Sequence, residues 1–348
     1  MRALRKTRPA FGAELVEIST PCSPAAGNAM ICIGAAGICG SDLHAFDWTS
    51  GYEFMADALP ITLGHEFAGV VDAVGNGVTE FAVGDRVTCW PTVTCGTCPG
   101  CASGHPLRCE HRRIVGLHRD GGFANLVSVP VATLRHIPDG LSLERAALTE
   151  PLAVAVNAVN LAEIAPRDRV AVLGPGPIGL AMAWVAHLRG AHVLLVGKDD
   201  PVRLEMARDL GIPHVADLST TTLEAAVQAT FGTRIDRVIE ATGIAGSVEQ
   251  GLAVLRPGGI LVAAGIHAQP CTIDLTRLVR EKKQLRGAHD TDDHAFTEAI
   301  ALLSAHGNVL ERLITHRLPL SRATEAFALA RARTAGKVLL IPDTEVPT

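Results

Sequence analysis

The sequence predicts two domains, an all-β barrel or sandwich joined to an α/β domain built on a doubly wound parallel sheet. Three observations carry this. The chain has 348 residues, more than the ~100–200 that one domain usually holds. Short strands separated by Gly and Pro turns run to about Val129, whereas strands alternate with helices after Leu143. Finally, Gly174-Pro175-Gly176-Pro177-Ile178-Gly179 lies directly between an apolar strand and a helix.

In chain order, strands are expected at residues 30–33, 67–74 and 84–89, punctuated by Gly-Asn-Gly and Val-Gly-Asp turns. Residues 91–122 show little periodicity and many Cys, Gly and His. A loop that long in a compact domain needs a cross-link. Next come a buried strand at 169–173, a helix at 178–189, a strand at 192–196 and a helix at 203–210. Further strands fall at 236–240 and 259–265, with a short one near Leu285. Such alternation gives a parallel sheet covered on both faces. Helices are expected at 294–306 and 322–333, before a closing strand at 337–341 that returns to the first domain.

Composition excludes several classes. With 31 Lys+Arg against 36 Asp+Glu, the net charge is −5, which disfavours a nucleic-acid partner that would need a basic face. A hydrophobic fraction of 48% rules out disorder. The most apolar stretch, 151–165, is interrupted by Asn157, Asn160 and Glu163, short of the ~20 residues a membrane span needs. Residues 1–9 are basic but no apolar segment follows, so a cytoplasmic address is expected. There disulfides are rare, and clustered cysteines more often bind metal. Eight of the nine cysteines fall within the first 109 residues.

The glycine turn has the G-x-G-x-x-G spacing. Gly174 permits the tight turn, Gly176 lets backbone approach a pyrophosphate, and Gly179 lets helix pack on strand. Pro177 and Ile178 open the helix, whose N-terminus presents free N–H groups to phosphate. Cys95, Cys98, Cys101 and Cys109 follow C-x2-C-x2-C-x7-C, which suits a closed structural zinc site and misses the iron–sulfur spacing C-x2-C-x2-C-x3-C-P. A second set is spread over Cys39, Ser41, His44, Gly64-His65-Glu66 and Glu150-Pro151. Together these offer thiolate, imidazole and carboxylate, the mixed donors of an open catalytic zinc site.

In this order, and over essentially the whole chain, the motifs resemble those of zinc-dependent medium-chain alcohol dehydrogenases, nearest the sorbitol and threonine dehydrogenase branch. The resemblance implies a GroES-like β domain at 1–152 and 288–348, with a zinc lobe at about 91–122, interrupted by a Rossmann domain at 153–287. It implies two zinc ions per chain. Cys39, His65 and Glu66 would bind the catalytic one, with Glu150 as a further or water-mediated ligand, and the four loop cysteines the structural one. Ser41 and His44 would relay the substrate proton outward, and Trp48, Tyr52 and Phe54 would wall the substrate pocket. The implied reaction is reversible oxidation of a secondary alcohol, a polyol or sugar alcohol, to a ketone, with hydride passing to NAD(P). Threonine-type amino-alcohol oxidation is one alternative, and a non-catalytic zinc- and nucleotide-binding redox sensor the other. Residues 287–290 lack the arginine that the sorbitol branch places near its polyol. A homodimer or homotetramer is implied, with 259–265 as the candidate edge strand.

For the cofactor, NAD-type folds place an acid at the end of the second strand. Here Gly197 stands there, followed by Lys198 and, further on, Arg203, which suit the 2′-phosphate of NADP. Asp199 is the competing reader of the ribose. The expectation leans to NADP.

Overall fold

The computed structural model describes residues 1–343 except Cys22, so the last five residues of the expected 288–348 segment lie outside it. The long strand Asn28–Gly37 organises the first half. It pairs antiparallel with Glu66–Val74, Leu126–Pro130 and Lys337–Ile341 in a seven-stranded sheet. Alternate residues of these strands, with Phe67, Phe123 and Phe327, fill one buried core. The closing strand does return to the first domain, where Leu339 and Leu340 pair with Gly37 and Ala36. A smaller sheet joins Glu14–Glu17, Arg2–Lys6 and Ile61–Thr62.

The second half is a six-stranded, all-parallel sheet. Its spatial order is His214–Asp217, His192–Gly197, Arg169–Leu173, Ile235–Glu240, Leu255–Ala263, Gln284–Gly287. Chain order thus runs outward from Arg169–Leu173 in both directions, and ligands of such sheets bind at the carboxyl ends beside that strand. Val170 to Leu173 are all buried because helices cover both faces.

The strand expected to form the edge, 259–265, is interior. Ile260 to Ala263 pair with Gln284 to Gly287, so the short strand Gln284–Gly287 is the edge on that side, with His214–Asp217 at the other. The unbroken apolar run Ile260-Leu261-Val262 signals burial on every side, whereas the true edge carries Gln284 and Arg286 and leaves Leu285 exposed.

Two helices position the site. Thr149–Leu161 packs against Pro177–Leu188 and Asp293–Leu310, and runs unbroken across position 152. Gly40–Asp47 follows the central strand directly, with Cys39 as its N-cap. Among the described residues, no helix is long and apolar enough to cross a membrane.

Candidate active site and metal centres

The end of the central strand delivers Cys39 and the start of its neighbour delivers His65 and Glu66. Register pairs Gly37 with Glu66, and a Cβ at Gly37 would lie 2.3 Å from Glu66 Oε2, so only glycine admits the carboxylate there. Asp42 fastens the two segments. Its buried carboxylate accepts the N–H of Cys39 at 2.9 Å and of Gly64 at 3.3 Å, and lies 3.6 Å from His65 Nδ1. Ligand atoms of Cys39, His65 and Glu66 consequently fall within 4.8 Å of one another.

These residues fit a divalent metal. Burial and the neighbouring Glu66 push the Cys39 thiol up to about 12, and the thiolate would need an added cation to persist. Among the described residues, the buried His65 Nδ1 has no hydrogen-bond partner. One cation already serves the cluster. Lys337, from the closing strand, donates to both Glu66 oxygens at 2.7 Å and to the Ile38 carbonyl at 3.1 Å. Glu150 is buried on the same cavity but outside the three-residue cluster. Burial, with Glu66 and Cys39 adding, raises its carboxyl well above the ordinary range against the lowering effect of His65.

The cavity, of about 630 Å³, lies between the two halves, since Cys39, Ser41 and His44 line it together with Ile178, Thr242 and Ala264. Ser41 Oγ is 3.1 Å from His65 Nε2, and His44 Nδ1 is 3.0 Å from Thr49 Oγ1. Tyr52 stacks on the His44 ring at 5.4 Å. Tyr52 and Phe54 do wall the cavity, but Trp48 does not. It packs beneath Lys6, whose Nζ lies 5.3 Å from its ring centroid, because its left-handed backbone (φ 54°) turns the chain away at the helix end.

In the loop, Cys95, Cys98, Cys101 and Cys109 also converge within 4.8 Å. The Cys95 sulfur lies 3.6 Å from that of Cys109 and 4.0 Å from that of Cys101. A tetrahedron with Zn–S of about 2.3 Å has edges of about 3.8 Å. Backbone N–H groups of Thr97 and Cys98 draw the Cys95 thiol down to about 5, so a thiolate is prepared there.

At the glycine turn, Gly174 has φ +105°, and a Cβ at Gly179 would lie 1.9 Å from the Gly174 carbonyl oxygen. A Cβ at Gly176 would meet nothing within 4 Å, which leaves the backbone open to a ligand. A cavity of about 660 Å³ extends from this turn to Lys198, Asp200, Arg203 and Arg333. Pro175 closes the space beside Gly197, where a Cβ would sit 2.9 Å from Pro175 Cγ. Arg203 is partly engaged, donating through Nε to the Ala335 carbonyl at 2.8 Å and pairing with Asp200 at 3.5 Å. It is Asp200, and not Asp199, that lines the cavity. Asp199 turns into φ 53° and donates its N–H to Asp217.

Comparison with known proteins settles the family. Residues 25–139 match the alcohol dehydrogenase GroES-like domain and residues 143–338 the glucose dehydrogenase C-terminus. A sorbitol dehydrogenase of Halalkalibacterium halodurans is 35% identical over 346 residues, covering 98% of this chain and 99% of that one. The chain belongs to the zinc-dependent medium-chain alcohol dehydrogenases. L-threonine 3-dehydrogenases are also among its relatives. An Escherichia coli alcohol dehydrogenase solved with NADH superposes with TM-score 0.89 at 28% identity, over 98% of this chain and 99% of that one. A zinc-binding dehydrogenase of Sinorhizobium meliloti, bound to NADP, superposes with TM-score 0.85 at 30% identity, over 98% and 99%. The enzyme is an oxidoreductase of GroES-like and Rossmann domains that carries out NAD(P)-linked alcohol oxidation.

Within this dehydrogenase, sequence reasoning missed Lys337, Arg333, Arg112 and Asp290. The first two come from the C-terminal segment, and nothing in local spacing marks them. Glu240 was missed too. It is buried, accepts N–H groups of Thr242 at 2.7 Å and Gly243 at 3.0 Å, and meets His267 at 2.9 Å, ordering the wall beside the cavity. An acid directly after the buried pair Val238-Ile239, at the end of its strand, was its signal.

Proposed function

We propose that this dehydrogenase oxidises a secondary alcohol, a polyol or sugar alcohol, to its ketone, with two zinc ions per chain and a preference for NADP. The observation that carries the reading is that Cys39 and His65, clustered with the buried Glu66, open onto the same cavity as Ile178 and Thr242, beside the glycine turn. Zinc held by those three residues would supply the Lewis acidity that lowers the alcohol's pKa, and nicotinamide would accept hydride. Ser41 and His44 line that cavity and would move the proton toward solvent, with His44 held in orientation by Thr49 and Tyr52. Lys337 fixes Glu66 from behind. The four loop cysteines would hold the structural ion.

For NADP speak Lys198, Arg203 and Arg333, three cations on the cavity, against Asp200, which is already paired with Arg203. The remaining assignments are a GroES-like domain at 1–152 and 288–348 around a Rossmann domain at 153–287, a cytoplasmic address and a homo-oligomer. Steady-state turnover of a panel of secondary alcohols, with NAD and with NADP, tests the function. Polyols turned over faster than L-threonine support it, and the reverse order replaces it with the amino-alcohol reading.

A further inference from the structure

The cavity has a second set of polar residues that neither metal binding nor proton transfer uses. Arg112, His118, Thr92 and Asp290 line it together with Cys39 and His65. Arg112 arrives from the four-cysteine loop, where its N–H donates to the Cys109 carbonyl at 3.3 Å. Its Nη1 donates to Asp290 Oδ2 at 3.3 Å, and among the described residues the guanidinium makes no other hydrogen bond. The side chain stays 28% exposed against 5% for Asp290.

Asp290 is nearly spent as an acceptor. Thr92 Oγ1 lies 2.9 and 2.7 Å from its two oxygens, and the Thr291 N–H donates to Oδ1 at 2.8 Å. A carboxylate has about four acceptor sites and a guanidinium about five donors. The pair is neutral in sum, yet what it leaves unmatched is donors. His118 adds another. The Ile114 N–H donates to its Nδ1 at 3.2 Å, so Nε2 carries the ring proton, and Phe54 stacks on the ring at 4.8 Å to hold it. Burial, with Arg113 and Arg112 nearby, keeps that imidazole's pKa low and the ring neutral.

We infer that Arg112, supported by His118, binds an anionic group, carboxylate or phosphate, carried by the alcohol substrate away from its carbinol carbon. A guanidinium fork matches both anions in a bidentate fashion. The inference rests on the alcohol-oxidation reading and narrows its substrate class to sugar acids or polyol phosphates. Arg112 becomes the link through which the four-cysteine loop shapes specificity.

The test compares kcat/KM of the zinc-replete enzyme for D-sorbitol, D-gluconate and D-sorbitol 6-phosphate. Wild type should favour one anion over sorbitol by at least ~10-fold, and which anion distinguishes carboxylate from phosphate. In Arg112→Gln the anion-to-sorbitol ratio should fall about 10- to 100-fold with sorbitol turnover within about threefold, and Arg112→Lys should fall between. Equal losses on all three substrates, or a wild type that prefers sorbitol to both anions, would overturn the inference. Calorimetric binding of gluconate and of sorbitol 6-phosphate to wild type decides independently of turnover. Absence of turnover with detectable, Arg112-dependent anion binding removes the polyol reading and keeps the anion site. Absence of anion binding removes the site, and if Arg112→Gln does not fold, this wild-type measurement stands alone.

Discussion

A methyl group at Gly179 would meet the Gly174 carbonyl oxygen at 1.9 Å, so the turn beside the cavity of about 660 Å³ excludes any side chain there. Constraint of this kind is local. Lys198, Arg203, Arg333 and Asp200 line the far end of the same cavity, and the proposed NADP preference, which rests on them, gives the first prediction. Lys198→Ala should lower kcat/KM for NADP about 10-fold and leave NAD nearly unchanged, because a 2′-phosphate loses a charge-assisted contact and a ribose hydroxyl does not. Side-by-side kinetics check it. A kcat/KM for NAD well above that for NADP, unmoved by the substitution, would assign the ribose to Asp200 instead. Legibility at this scale follows sequence distance. Gly174 to Gly179 and Cys95 to Cys109 act on neighbours, so spacing exposes them. Lys337 reaches Glu66 across 271 residues, and Arg112 reaches Asp290 across 178, so only folding reveals either pair.

Among elements, Asp236 ties three neighbouring interior strands at the amino-terminal end of the parallel sheet. It accepts the backbone N–H and the Nε of Arg169 at 2.9 Å, and the Nε of Arg256 at 2.6 Å. Burial alone would raise its carboxyl, but these bonds outweigh burial and hold it well below the ordinary carboxylate range. A depressed folded pKa means that its contribution is complete above the unfolded value, about 4, and fades as pH falls through the folded one. Asp236→Asn should therefore cost about 1–3 kcal/mol near neutrality, a gap that narrows below about pH 4 in denaturant titrations. A gap constant with pH would show that the ion pairs contribute nothing. Edge identity is the element-scale feature the sequence reading misplaced. The run Ile260-Leu261-Val262 is apolar because it is interior, and strand alternation alone cannot say which of two consecutive strands ends a sheet. The side on which the sequence reading placed the assembly edge ends in Gln284–Gly287, with Leu285 exposed. Sedimentation at micromolar concentration should show a dimer or tetramer, and a monomer would remove the homo-oligomer.

For the molecule as a whole, Cys39 and His65 from one half and Ile178 and Thr242 from the other line a shared cavity, while the two cysteine-containing clusters stay separate. The Cys39, His65 and Glu66 cluster draws on the central sheet of the first domain, and the four-cysteine cluster sits in its own loop beside a short hairpin, Thr92–Val93 with Arg113–Ile114. Their ligands do not overlap, so each metal should be removable without the other. Cys98→Ala should lose the loop ion and lower Tm, since structural zinc contributes folding energy. Zinc content measured beside alcohol turnover, in wild type and in Cys39→Ala, tests the central claim most directly. The account predicts two zinc ions per wild-type chain, and one in Cys39→Ala with turnover abolished and Tm nearly unchanged. A wild type with one ion or none, or a Cys39→Ala protein that still oxidises the alcohol, would contradict it.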